Sequence, residues 1–143
     1  MFSGTTNPKL DDKGRLVIPA KFRELTDGPL YITKGQDYCL AVYTASEFAR
    51  IAEQLQQARV TTKSARHFVR NFMASAELQI PDKQGRISIP AHLRDYSQID
   101  RELVMVGNNN KVEIWSAKVW DESQAEQDEL FANRDEEVIP GIF

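Results

Sequence analysis

Asp11-Asp12-Lys13-Gly14-Arg15-Leu16-Val17-Ile18-Pro19-Ala20-Lys21-Phe22-Arg23 returns further along the chain as Asp82-Lys83-Gln84-Gly85-Arg86-Ile87-Ser88-Ile89-Pro90-Ala91-His92-Leu93-Arg94. Seven of the thirteen positions are identical, and Leu16/Ile87 and Phe22/Leu93 are apolar in both copies. The copies lie 71 residues apart, and the match continues downstream at a spacing of 72. There Tyr31-Ile32-Thr33-Lys34-Gly35 aligns with Leu103-Val104-Met105-Val106-Gly107, and Cys39-Leu40-Ala41-Val42-Tyr43-Thr44 aligns with Lys111-Val112-Glu113-Ile114-Trp115-Ser116. A repeat of this length with a single length change makes the chain a tandem duplication.

Each unit reads the same way. Arg15–Ile18 and Arg86–Ile89 are short, β-branched and apolar, which predicts strands. Pro19 and Pro90 end them and suit the first turn of a helix, so Pro19–Leu25 and Pro90–Tyr96 are expected as short helices. A hairpin follows. Leu30–Lys34 and Cys39–Tyr43 flank Gly35-Gln36-Asp37-Tyr38, and Leu103–Val106 and Lys111–Trp115 flank Gly107-Asn108-Asn109-Asn110. Gly and Asn are expected to supply the positive φ of these loops.

Between the units, Thr44-Ala45-Ser46-Glu47 has the form of a capping box, followed by Phe48, Ile51, Ala52 and Leu55 at helical spacing. Thr61-Thr62 separates this helix from a second with Ala65, Phe68, Val69, Phe72 and Met73 on one stripe. Phe48, Phe68 and Phe72 are expected in the core. Ser116 should cap an acidic helix bearing Val119 and Trp120, and Val138–Phe143 reads as a loose or partner-docked tail. The expected divisions are 1–43, a first repeat; 44–74, connecting helices; 75–115, a second repeat; and 116–143, an acidic helix and tail. Half-units of about 40 residues bury too little to stand alone. The fold class is therefore α+β, with the duplicated units interleaved as a β-barrel of pseudo-two-fold symmetry and peripheral helices.

The net charge is −3, but it is unevenly spread. Residues 1–115 carry 16 basic and 13 acidic side chains, whereas residues 116–143 carry 2 and 8. The body is mildly basic, and phosphate contacts depend on local rather than total charge. No apolar run approaches the ~20 residues of a membrane span. The N-terminus lacks the pattern of a signal peptide, and Cys39 is the only cysteine, so a cytoplasmic location is expected.

The chemistry concentrates in the two Asp-x-x-Gly-Arg stretches. Gly14 and Gly85 permit a tight turn with φ > 0. Asp11 and Asp82 can accept backbone N–H bonds and hold the turn closed. Arg15 and Arg86 then leave from rigid strands. A guanidinium fork matches phosphate oxygens and the O6/N7 edge of guanine. Alternatively each arginine merely pairs with its aspartate and stiffens the turn. The duplication favours the functional reading, because stiffening seldom demands a guanidinium. Lys13 and Lys83 add charge nearby, at inequivalent positions. Two histidines, one cysteine and no phosphate-binding or dinucleotide motif give no basis for an enzyme, a cofactor, a metal or a small-molecule substrate. Lys63, Arg66 and Arg70 read as a solvated face, and Cys39 as a small hydrophobe in mid-strand.

The chain closely resembles the MraZ family of bacterial transcriptional regulators, which have a swapped-hairpin, AbrB/SpoVT-like fold. The resemblance rests on Phe2-x-Gly4, Leu10-Asp11-x-Lys13-Gly14-Arg15-x-x-Ile18-Pro19, Asp82-x-x-Gly85-Arg86, and Glu113-Ile114-Trp115 followed by Trp120. It implies binding of double-stranded DNA at short G-rich direct repeats upstream of the division and cell-wall gene cluster. It also implies assembly into homo-oligomeric rings and association with the nucleoid. The DNA-contacting residues it implies are Gly14, Arg15, Gly85 and Arg86, assisted by Lys13 and Lys83, with Asp11 and Asp82 stabilising the loops. Gln84, standing where the first copy has Lys13, makes the second loop less basic. Two other readings stay open: an oligomeric scaffold that binds proteins through its acidic tail, and an antitoxin-like regulator on the same fold, against which the tandem copy argues.

Overall fold

A computed structural model describes all 143 residues, Met1–Phe143. In chain order the elements are β1 (Thr5–Thr6), β2 (Arg15–Val17), a 3₁₀ helix (Ala20–Thr26), β3 (Leu30–Lys34), β4 (Leu40–Thr44), α1 (Ala45–Gln57), α2 (Lys63–Ser75), β5 (Glu77–Gln79), β6 (Arg86–Ser88), α3 (Ala91–Ser97), β7 (Leu103–Asn108), β8 (Lys111–Ser116) and α4 (Ala117–Ala132). The class is α+β, as the alternation of short strands and helices predicts. No helix is long and apolar enough to cross a membrane.

The strands form an open six-stranded antiparallel sheet, in the order β1-β7-β8-β4-β3-β5, and a separate two-stranded ribbon, β2-β6. The expected barrel thus takes the form of an open sheet with β1 and β5 at its edges. Both assemblies join the two repeats. In the ribbon Arg15 lies opposite Ser88, Leu16 opposite Ile87 and Val17 opposite Arg86. At the centre of the sheet Leu40 faces Ile114, Ala41 faces Glu113 and Val42 faces Val112. Neither repeat completes its own hydrogen bonding. Ile18 N–H donates to Gly85 C=O, and Ile89 N–H donates to Gly14 C=O, each at 2.9 Å.

The core lies between the sheet and the elements that cross it. Leu16, Ile18, Phe22, Leu25, Ile87, Ile89 and Leu93 pack on Leu30, Ile32, Leu40, Val42, Met105 and Ile114 in one buried cluster. On the other face α1 and α2 seal a smaller aromatic cluster. Phe48 stacks on Tyr31 at 4.1 Å and on Phe72 at 5.7 Å. Phe68 is not in it. It sits 53% exposed beside the basic stripe of α2, because the stripe on that helix is wider than the surface it covers.

Several local expectations shift. Pro19 and Pro90 occupy the position before the helix, with ψ of 147° and 149°, not its first turn. Thr44 caps α1 by accepting from Glu47 N–H at 3.2 Å, but Glu47 does not return the bond. Thr44 closes the β3–β4 ladder opposite Leu30, and the Glu47 carboxylate turns to Arg50 and Asn110. Ser116 caps α4 as expected, and Thr62, expected only as part of the break between the two helices, caps α2. The positive φ of the first hairpin falls on Asp37 and Tyr38, and that of the second on Asn109, so neither Gly35 nor Gly107 serves that need. Cys39 is buried but precedes β4 instead of lying within it, and burial first, then Glu113 and Asp37, push its thiol up to about 12. The tail folds on itself, with Val138 and Ile139 N–H donating to Phe143 C=O, and remains exposed.

Gly107 has a steric role. The N-terminal segment crosses it, with Gly107 N–H donating to Gly4 C=O and Phe2 N–H to Asn109 C=O. A Cβ at Gly107 would lie 2.4 Å from the Ser3 nitrogen, which is backbone that cannot swing aside. Gly107→Ala should therefore lift residues 2–6 off the sheet at a cost of about 1–3 kcal/mol. Urea denaturation and faster hydrogen exchange at the Phe2 and Asn109 amides would show it; wild-type protection of both would refute it.

Candidate nucleic-acid interface

The two Asp-x-x-Gly-Arg stretches fold into matching turns. Asp11 N–H donates to Arg15 C=O at 2.8 Å and Gly14 N–H to Asp11 C=O at 3.1 Å. Asp82, Arg86 and Gly85 repeat these bonds at 3.1 and 2.9 Å. Gly14 and Gly85 both take φ +74°, a conformation that costs L side chains about 1–2 kcal/mol. The aspartate closes each turn from inside. Asp11 Oδ1 accepts from Lys13 N–H and Arg15 N–H, and Asp82 Oδ1 from Gln84 N–H and Arg86 N–H, all at 2.9 Å.

The second carboxylate oxygen holds the arginine. Arg15 Nε donates to Asp11 Oδ2 at 2.9 Å, and Arg86 Nε to Asp82 Oδ2 at 2.7 Å. The stiffening pair and an outward-facing fork therefore coexist. Nε is spent on the aspartate, while the Nη nitrogens make no protein hydrogen bond and carry the other four of a guanidinium's five N–H donors. An arginine anchored this way loses little further freedom when it meets an anion.

The ribbon puts both arginines on one face. Directly opposed residues of an antiparallel pair point the same way, and alternate residues of a strand share a face. Arg15, Val17, Arg86 and Ser88 therefore point outward, while Leu16 and Ile87, 1% and 2% exposed, point into the core. The arginines stand at opposite ends of the ribbon, about 7 Å apart along it and one strand spacing, about 5 Å, across it. Lys13 and Lys83 are exposed on the turns themselves. Sequence reasoning found the arginines, lysines, glycines and aspartates but missed Val17 and Ser88. Only the β2–β6 register brings those two to the same face.

Backbone N–H donation, from Arg15 to Asp11 and from Arg86 to Asp82, is the largest influence holding both carboxyls below the ordinary Asp value; the arginine side chains add to it. A depressed folded pKa contributes stability that is present above the unfolded value, about 3.9, and is lost as pH falls through the folded one. Both turns should thus stay closed at neutral pH and open on acidification below about pH 4. Carboxyl NMR titration should give midpoints for Asp11 and Asp82 below that ordinary value. Ordinary midpoints would mean that the turns are not clamped by carboxylate.

No group of three His, Cys, Asp or Glu side chains is placed to hold a metal ion. The fold and its paired turns define a tandem-repeat α+β protein with two aspartate-anchored arginines on the outward face of a two-stranded ribbon. A family model described as "MraZ protein, putative antitoxin-like" matches residues 1–71 and again residues 72–140. The "Transcriptional regulator MraZ" of Salinispora arenicola is 52% identical over 142 residues, covering 99% of this chain and 100% of its own length. Proteins of the same name from Kocuria rhizophila and Leifsonia xyli subsp. xyli are 50% and 47% identical over the full length of both chains. The chain belongs to the MraZ family.

Proposed function

We propose that this chain is a transcriptional regulator that binds double-stranded DNA through the outward face of the β2–β6 ribbon and its two flanking turns. The observation that carries the reading is the pair of aspartate-anchored arginines on one face, each with its Nη donors free. The major groove admits a two-stranded β-ribbon. A guanidinium fork there fits guanine O6 and N7, which suits a G-rich operator, while Lys13 and Lys83 suit phosphate. Gly14 and Gly85 give the two DNA-facing turns their shape through a positive φ, Gly85 leaves its backbone open to the duplex, and Asp11 and Asp82 hold the turns closed. The names of the relatives support the regulatory role.

The reciprocal registers at Leu16/Ile87 and Ala41/Glu113 support a pseudo-two-fold relation between the repeats, with ribbon and sheet as walls of one barrel-like core. A homo-oligomeric ring would present several such ribbons to direct repeats, raising affinity by avidity. The basic stripe of α2 with Phe68, and the acidic α4 with Leu130 and Phe131, are complementary exposed surfaces for that assembly. A DNA-bound cytoplasmic protein in the nucleoid is the corresponding location.

Fluorescence anisotropy with duplex from upstream of the protein's own gene, against a scrambled duplex, tests the reading. Tight binding to the first should weaken with salt, log K falling by about 0.9 per phosphate neutralised for each tenfold rise in salt. No binding by a folded, oligomeric wild type would move the weight to a scaffold role for the exposed Phe131 of α4 and Phe143 of the tail.

A further inference from the structure

The two turns are built alike but are not covered alike. Gly14 is buried, whereas Gly85 is only half-buried. The cover over Gly14 comes from the other repeat. A Cβ added there would lie 2.8 Å from Arg94 Nη1 and 3.1 Å from Arg94 Cζ, so the guanidinium rests against the turn. Over Gly85 the nearest such atom is the Thr26 methyl, at 3.8 Å. Arg23, the counterpart of Arg94 in the repeat, is exposed and does not reach Gly85. The difference follows from the helices. Arg94 lies in α3, whereas Arg23 lies in a 3₁₀ helix interrupted at Phe22. The tighter 3₁₀ winding sends the side chain in another direction.

Arg94 is also without a counter-charge. Its Nε is buried with no hydrogen-bond partner, and its two Nη nitrogens keep solvent contact but bond to no protein group. The acidic groups of the turn are engaged elsewhere: Asp11 with Arg15 at 2.9 Å, and Asp12 with Arg101 at 3.8 Å. Partly buried cations are ordinarily paired. A guanidinium held against a turn, with outward Nη donors and no internal anion, is arranged for an external one.

We propose that Arg94 is a third DNA-contacting arginine, lent by the second repeat to the first turn, where it grips a backbone phosphate beside Arg15. The inference rests on the DNA-binding reading above. It makes the two turns unequal. The first carries Lys13, Arg15 and Arg94, and it anchors the complex; the second carries Lys83 and Arg86, with Gln84 and Thr26 in the other places.

Anisotropy titrations of the full chain on duplex from upstream of its own gene, across several salt concentrations, decide it. Arg94→Ala should weaken binding on the order of tenfold or more and lower the salt slope by about 1 per bound unit. Arg94→Gln, which keeps a stem over Gly14 but drops the charge, should do the same, and it answers the question should Arg94→Ala fail to fold. Arg94→Lys should keep the salt slope while losing part of the affinity, because a point charge replaces the fork. Arg23→Ala should bind within about twofold of wild type and keep the slope, since one exposed cation away from the contact adds little. Wild-type affinity and slope for folded Arg94→Gln would overturn the inference and leave the DNA reading intact. Lost affinity with an unchanged slope would also overturn it, by making Arg94 a prop for the turn. No binding by wild type would overturn both.

Discussion

Arg15→Ala should lower affinity for the cognate duplex by about 1–3 kcal/mol per bound unit, on the order of 5- to 150-fold, and by more in an oligomer. The guanidinium is fixed by Asp11 through Nε, so its Nη donors are aimed before DNA arrives and little ordering remains to be done. Arg86→Ala should follow in the same direction with a smaller effect, because the second turn holds Gln84 where the first holds Lys13. The double variant should bind specific and scrambled duplexes alike. Each variant should melt close to wild type, since the two side chains are on the solvent face of the ribbon and Leu16 and Ile87 beneath them are untouched. Asp11→Asn should produce a milder loss, with Arg15 present but no longer held by a carboxylate. Anisotropy reads the affinities, and sedimentation confirms that the assembly is intact. Wild-type affinity for a folded Arg15→Ala protein would remove the ribbon face from the binding site.

Phe22→Ala should have the largest effect on stability. Phe22 is 1% exposed, meets Phe2 edge-on at 6.3 Å between ring centroids, and packs in the main core cluster. Its truncation leaves a cavity that the neighbouring strands cannot close without breaking their ladders. The expected cost is about 3–5 kcal/mol. Whole domains are stable by only about 5–15 kcal/mol, so about a fifth or more of the total would be lost. Urea denaturation with an unchanged slope would measure it directly. Leu93→Ala, at the matching position of the second repeat and equally buried, should cost about 2–5 kcal/mol. A loss below about 1 kcal/mol at Phe22 would mean that the two repeats do not share this core.

Most of the local structure could be read in advance. Apolar, β-branched runs marked β2 to β4 and β6 to β8, Thr44 and Ser116 marked the starts of α1 and α4, and Thr61-Thr62 marked the break before α2. Misreadings came where a second part of the chain competes for the same atoms. Glu47 fits a capping box, yet Arg50 and Asn110 take its carboxylate. Gly107 fits a turn, yet it is needed because Ser3 passes over it. Phe68 fits the helix stripe, yet nothing arrives to cover it. Asn110 and Ser3 lie far away in sequence from Glu47 and Gly107, and periodicity carries no information about them or about what leaves Phe68 uncovered.

The candidate site divides in the same way. The sequence by itself determined the duplication, the α+β class, the two Asp-x-x-Gly-Arg turns and the residues that build them. These are local: a turn closed by an aspartate four residues before an arginine needs only its own five residues and one glycine with φ > 0. Only the tertiary structure decided how the turns stand to each other. The antiparallel register of β2 and β6 puts Arg15 and Arg86 on one outward face, and α3 carries Arg94 onto the first turn while the 3₁₀ helix brings only the Thr26 methyl near the second. The physical reason is that half a core is unstable alone. Each repeat must bury Leu16 or Ile87, and pairing with the other repeat does so while supplying the missing backbone hydrogen bonds.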